Sequence, residues 1–286
     1  QNECYFFIAN FHTLTTVRDR DKTRKLTIDV ALDYLAMGLD PNKVVLFRQS
    51  DVPEVTELAW ILATVTGMGL LERSVSYKDK IARGIEASAG LFYYPVLMAA
   101  DILIHNANIV PVGKDQRQHV EMARDVAEKF NRVFPGKKTE EGMSGEIMPE
   151  LFVLPEASIL ESVETVPGVD GQKMSKSYNN HIPLFSEDED IKKLVMSITT
   201  DSGSAADIES GKISGIPENV YNIHKLVRDK ASLDELYGAN KGKYKLLKEA
   251  LIEDLIAFIK PLREKRAEIA KDPEAVKKML DRKSVV

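Results

Sequence analysis

Cysteine, tryptophan and histidine are scarce in this chain of 286 residues: Cys4 and Trp60 are single, and there are five histidines. A lone thiol excludes a disulfide framework and a thiolate metal site, and it fits a reducing compartment, so a cytoplasmic protein is the expectation. His105, His181 and His224 stand isolated in sequence, without metal-ligand spacing, and read as structural. No apolar run approaches the roughly 18 residues a membrane span needs, and the first residues carry no signal-peptide pattern, so no membrane partner is expected. A large excess of one charge is missing too. The net charge of −5 argues against a generic nucleic-acid coat, while leaving local basic patches open. There is no initiator methionine: the chain opens at Gln1-Asn-Glu-Cys and runs almost at once into an apolar stretch, so native sequence upstream of residue 1 is expected.

What is present is ordinary for a globular protein, 44% hydrophobic and 29% charged, and long enough for one large or two ordinary domains. Tyr5–Ala9, Lys43–Arg48 and Ala107–Val112 are short apolar runs of the kind that form buried parallel strands. Helical periodicity falls between and after them, over Asp21–Leu39, Glu54–Thr66 (with Trp60 placed in the core), Gly90–Leu103 and Asp115–Phe134. This alternation predicts an α/β fold with a doubly wound, Rossmann-like parallel sheet. Leu151–Leu154 is a further strand candidate. Beyond it Ile191–Ser197, Val220–Lys230, Leu233–Tyr237 and Lys243–Ala267 are helical patterns with no strand between them. The expected division is a catalytic domain over residues 1–180 and an all-α domain over residues 181–286.

Three segments invite chemistry. Lys173-Met-Ser-Lys-Ser177 sets two lysines three apart, beside Gly171 and among hydroxyls, in a loop-like stretch. That is either a solvated lysine loop or a compact, mobile cation cluster suited to a departing pyrophosphate. Val110-Pro-Val-Gly-Lys-Asp-Gln-Arg-Gln-His119 runs from strand to glycine to helix start, where open parallel sheets bind ligands. Asp115 is there the natural N-cap, and Gly113 would let the backbone approach a nucleotide. Asp101 sits in the apolar helix Leu91–Leu103, where a buried carboxylate needs partners. It either pairs with a donor of the protein or awaits one from a ligand. Met98 lies one helical turn earlier on the same side, with Tyr94 close by, so an apolar pocket with one buried acceptor suits a flat aromatic ligand carrying an N–H.

Phe7–Thr15, Tyr94–Asp101, Val110–His119, Lys173–Ser177 and Thr199–Ser202 follow one another in an order and spacing that resemble bacterial-type tryptophanyl-tRNA synthetases, over essentially the whole chain. The resemblance implies that Asp101 accepts the indole N–H of tryptophan, that Met98 forms part of the indole wall with His12 nearby, and that Tyr94 and Gln116 hold the amino group. It implies ATP contacts from Gly113, Lys114 and Asp115, from Lys80 to the phosphates, and from Met174, Ser175 and Ser177 around Lys173 and Lys176, which close on pyrophosphate. Lys114 and Asn10 stand where the family usually has acidic residues. The family's other signature, His-Ile-Gly-His or Thr-Ile-Gly-Asn, occurs nowhere in this chain, and by register it would precede residue 1.

The implied partners are L-tryptophan, tRNA(Trp) and a second copy of the chain, with Gly90–Leu103 and Phe6–Phe11 near the family's dimer contacts. The implied cofactor is ATP, with Mg2+ carried by ATP and no protein ligand assigned to it. The basic runs Lys241–Lys248 and Lys260–Arg266 either face tRNA phosphates or are solvated helix faces. Two other readings are open: a tyrosyl-tRNA synthetase, whose phenol pocket commonly has a glutamine at the place of Met98, and a non-catalytic tRNA-binding or regulatory protein on a synthetase scaffold.

Overall fold

The structure is a computed structural model that describes residues 2–74, 88–135, 150–159, 166–200, 210 and 214–283. Two strands form where the apolar runs predict them. β1 (Tyr5–Ile8) and β2 (Val45–Arg48) pair in parallel, Tyr5 opposite Val45 and Ile8 opposite Arg48. Parallel neighbours need a long crossover, and here it passes through α1 (Asn10–Thr13) and α2 (Arg20–Ala36). After β2 the chain makes a single 3-10 turn, Gln49–Asp51, and enters α3 (Glu54–Ala63) and α4 (Met68–Glu72).

α5 (Ala89–Leu103) is capped by Ser88, whose hydroxyl accepts from the Leu91 amide at 3.1 Å. Its Leu91, Val96, Ala99, Ala100 and Leu103 are buried, so this helix is the spine of the core, packed between α3 and α6 (Arg117–Val133). α6 buries Val120, Ala123, Val126, Ala127 and Phe130 along one face, the periodicity of an amphipathic helix. A second parallel pair joins β3 (Ile109–Pro111) to β4 (Glu156–Ser158), with α6 in the crossover.

The candidate strand Leu151–Leu154 is not a strand. The Asn131 side chain takes both backbone groups of Phe152, donating to its carbonyl at 2.8 Å and accepting from its amide at 2.9 Å. Asn106 accepts from the Val153 amide at 3.2 Å. With those groups bound to side chains, ladder pairing starts only at Glu156. Trp60 is not in the core either: it is 73% exposed on α3, whose buried face is Val55, Ala59 and Leu62.

After residue 166 the described regular structure is helical: α7 (Asp188–Met196), α8 (Glu218–His224), α9 (Lys230–Ala239) and α10 (Tyr244–Ile269) around Ile191, Val195, Val220, Leu233, Tyr237, Leu247 and Leu251. α11 (Pro273–Lys283), which the sequence reading does not include, buries Val276 and Leu280. Compactness divides the chain into two units, Gln1–Ala31 with Asp40–Ser162 and Pro273–Val286, and Leu32–Leu39 with Val163–Asp272. The division near residue 180 rests on composition. Compactness instead groups the lysine loop with the helices of the second unit and α11 with the strands of the first. Among the described residues no helix is long and apolar enough to cross a membrane.

Candidate active site

The carboxyl ends of β1 and β2 are tied to each other by side chains. Asn10, which opens α1, donates to Ser50 Oγ at 2.8 Å and accepts from the Ser50 amide at 3.0 Å. The Gln49 side chain, fully buried, accepts from the Phe11 amide at 3.0 Å and turns its Nε2 to both oxygens of Asp101, at 2.8 Å each. His12 Nε2 bonds Asp101 Oδ2 at 2.9 Å. Asp101 is 5% exposed, so three elements converge on one buried carboxylate. Of the two alternatives left open by the sequence, pairing with donors of the protein is the one observed. A carboxylate offers about four acceptor positions, and these three bonds leave about one more.

Tyr94 and Met98 are half-buried on the helix that carries Asp101. The Tyr94 hydroxyl bonds His119 Nε2 at 3.0 Å, and its ring stands edge-on to that of His12, 6.1 Å between centroids. Met98 packs against the core around Val96, Ala99 and Met122. Tyr94, Met98 and Asp101 on α5 are thus brought together with His12 on α1. Gln49 and His119 join them; no sequence motif pointed to Gln49, and His119 closes the Val110–His119 segment without having been singled out in it. Their only signals are a glutamine just past a strand and a histidine on the buried face of α6. Burial pushes the pKa of His105 below that of an ordinary histidine, against the opposing charge of Asp101.

Gly113, Lys114 and Asp115 are exposed at the entry to α6, after β3. The chain first makes a 3-10 turn, Lys114–Gln116, entered from Gly113, and the helix proper begins at Arg117. Asp115 therefore does not cap the helix; its carboxylate accepts from Gln116 Nε2 at 3.1 Å. Lys80 lies outside the described residues, as do Asp201 and Ser202 of the Thr199–Ser202 segment.

The lysine loop is a built turn in the second unit. Pro167 and Lys173 form an antiparallel bridge, and the Met174 amide donates to the Val166 carbonyl at 2.8 Å. Gly171 at φ 81° occupies the left-handed region that glycine tolerates. Lys176–Tyr178 is a 3-10 turn. Lys173 and Lys176 are exposed, Met174 and Ser175 half-buried, and the Ser177 side chain lies outside the described set. Lys173 and Lys176 thus sit on a hydrogen-bonded frame. Among the described residues, no three His, Cys, Asp or Glu side chains are grouped to hold a metal ion.

The basic runs of α10 are partly spent inside the unit. Lys248 is buried and donates to the carbonyls of Met196 and Ile198 at 2.9 and 2.7 Å, closing the end of α7; burial lowers its pKa. Arg263 pairs with Asp188 and Arg266 with Asp33. Lys241, Lys243, Lys245, Lys260 and Lys265 are the exposed remainder of the two runs. Deeper in the unit, fully buried His224 contacts Tyr237 Oη at 3.1 Å and Asp254 at 2.7 Å, and Arg228 grips the same carboxylate.

A profile of the family described as tRNA synthetases class I (W and Y) matches residues 1–260. The tryptophan–tRNA ligase of Rhodopirellula baltica is 45% identical over 98% of this chain and 82% of its own length. That of Fusobacterium nucleatum is 43% identical over 97% of this chain and 81% of its own. The crystal structure of Campylobacter jejuni tryptophanyl-tRNA synthetase complexed with ADP and tryptophan superposes with a TM-score of 0.80 at 43% identity, covering 99% of this chain and 84% of that one.

Proposed function

The chain belongs to the class I tRNA synthetases for tryptophan and tyrosine, and from that premise we infer that it acts as a tryptophan–tRNA ligase. A carboxylate oxygen of tryptophan attacks the α-phosphorus of ATP, the bond to the β-phosphate bridging oxygen breaks, and pyrophosphate leaves. A ribose hydroxyl at the end of tRNA(Trp) then attacks the carbonyl of the adenylate and displaces AMP. Such chemistry needs positioning and charge stabilisation rather than covalent help from the protein.

The observation that carries the choice of amino acid is Asp101, a buried carboxylate with about one acceptor position left, one helical turn from Met98. An indole N–H fits that vacancy, and the thioether of Met98 suits the face of the ring. A tyrosine pocket must pair a phenol hydroxyl, and the cost of leaving one short of partners is what lets such sites discriminate. Met98 offers no good partner, so tryptophan is favoured.

In this reading Tyr94 and Gln116 hold the amino group, with His12 beside the pocket. Gly113, Lys114 and Asp115 lie along ATP, Lys80 reaches its phosphates, and Met174, Ser175 and Ser177 line the nucleotide near Lys173 and Lys176. Those two lysines stabilise the departing pyrophosphate. Mg2+ arrives as part of the nucleotide substrate. Residues 1–180 carry the catalytic residues, residues 181–272 form the tRNA side, and exposed lysines of α10 supply phosphate contacts. The protein works in the cytoplasm as a homodimer, for which exposed Trp60 and Ile61 on α3 supply apolar surface.

Calorimetry of the full-length protein with tryptophan and with tyrosine tests the assignment. Tryptophan is expected to bind the tighter of the two; tighter binding of tyrosine overturns it.

A further inference from the structure

The frame beneath the lysine loop converges on one side chain. Asn180 is 2% exposed. Its Oδ1 accepts from the Ser175 amide at 2.7 Å, and its Nδ2 donates to the Lys173 carbonyl at 3.1 Å and to Asp170 Oδ1 at 2.7 Å. Its own carbonyl accepts from the Val169 amide at 2.9 Å. Asp170 Oδ1 also accepts from the Gln172 amide at 3.0 Å. Every hydrogen-bonding atom of the carboxamide faces the loop, and the two bonds to its backbone bracket Met174, between the first lysine and the first serine.

We propose that Asn180 is a positioning residue for ATP cleavage, fixing the backbone from Lys173 to Ser175 so that the ammonium groups of Lys173 and Lys176 are presented together. This rests on the reading that those lysines act on pyrophosphate. The lysines themselves are exposed, and a long flexible stem presents a charge reproducibly only if its backbone is fixed. Asn180 supplies that fixity from below, without reaching solvent.

The frame is in turn anchored to the helices of its unit. The Thr199 amide donates to the Val169 carbonyl at 2.8 Å, and Asn219 on α8 donates to the Thr199 carbonyl and hydroxyl at 3.1 and 3.2 Å. Lys248 on α10 holds the neighbouring Ile198 carbonyl. Gly168 provides the seat: a methyl group there would stand 2.3 Å from Asn180 Nδ2, closer than any real contact allows.

The test is tryptophan-dependent ATP–pyrophosphate exchange by the full-length protein, with tryptophan affinity measured alongside by calorimetry. Asn180→Ala is expected to lower kcat about 10–100-fold, a size typical of small misplacements of reacting groups, with tryptophan affinity within about threefold of the parent. Asn180→Asp keeps the acceptor for Ser175 but opposes Asp170, and it should lose as much. Adding Asp170→Asn restores a donor between the two side chains and should recover part of the loss. Gly168→Ala drives a methyl group against the same amide and the Asn180 carbonyl and should lose at least as much as Asn180→Ala, which keeps the test open if the latter folds poorly.

Unchanged kcat in Asn180→Ala or Gly168→Ala overturns the proposal, as does a loss of tryptophan affinity equal to the loss of kcat. Lys173→Ala and Lys176→Ala separate the two levels. If they lose exchange while the Asn180 variants do not, only the positioning role fails; if they too are unaffected, the lysine reading fails.

Discussion

Gln49 offers the sharpest test of how the pocket floor is built. Its amide bridges the Phe11 backbone and both oxygens of Asp101, and it is fully buried. Gln49→Met keeps the length and shape of the side chain and removes every one of those bonds. Losing hydrogen bonds to a charged acceptor costs about 1.5–3 kcal/mol, and leaving the Phe11 amide short adds roughly 1 kcal/mol. The variant should therefore unfold in urea with about 2.5–4 kcal/mol less stability. Gln49→Glu is the diagnostic companion, because it sets a second carboxyl against Asp101 at hydrogen-bond distance. Two such groups cannot both ionise cheaply, so one must hold a proton and titrate above its ordinary value. A raised folded pKa contributes stability below the unfolded value of about 4.3 and loses it as pH rises through the folded one. The Glu variant should thus come nearest the parent at about pH 4 and fall progressively behind it toward pH 8. A Met variant within about 0.5 kcal/mol of the parent, together with a Glu variant whose deficit is flat over that range, would refute the account of Asp101.

Other outcomes follow from the same contacts. Lys173→Ala and Lys176→Ala should each reduce adenylate formation about 10²–10³-fold, measured by pyrophosphate exchange, in line with other donors to transition-state charge; wild-type exchange in both removes them from the mechanism. In the second unit, burial lowers the pKa of His224 despite neighbouring Asp254, and Arg228 first and His224 after it hold Asp254 below the usual carboxylate range. Both depressed values give stability that is lost as pH falls: for His224 between about pH 6.5 and its lower folded pKa, for Asp254 below about pH 4. His224→Gln should flatten the upper part of that acid limb in urea titrations, and an unaltered slope would contradict the burial argument. Trp60→Glu should shift a dimer toward monomer in light scattering; a dimer of unchanged stability excludes the α3 surface.

Much of the fold was legible because its elements announce themselves by period. The run at Val45–Arg48 and the stripe of Arg117–Val133 bury as such patterns should, whereas Tyr5–Ile8 forms its strand with Tyr5 and Phe6 exposed and Ile8 buried. β4 was missed because Glu156–Ser158 is three residues long and exposed at its ends, while the more apolar segment before it is held by Asn131 and Asn106. Trp60 misled because a large aromatic on a helix is usually buried, whereas this one lies opposite the Val55–Ala59–Leu62 face. α11 was hidden by its charge: among its described side chains Val276 and Leu280, four apart, are the buried ones.

The surroundings of Asp101 were legible in His12, Tyr94 and Met98 and not in Gln49. Asp101 draws attention because a carboxylate in an apolar helix demands an explanation. Gln49 and Asn180 act through backbone groups and through residues distant or adjacent in sequence, and no spacing rule marks them. Lys248 shows the converse, since a lysine in a basic run reads as a surface charge until its ammonium is found on the end of α7.

The central claim is tested most directly by ATP–pyrophosphate exchange with the full-length protein, supplied in turn with tryptophan and with tyrosine. The account predicts exchange that depends on tryptophan, with tyrosine at least about 10²-fold poorer in kcat/KM, as expected for a pocket whose polar group matches only one of the two. Exchange driven equally or better by tyrosine, or no exchange with either amino acid, would contradict it.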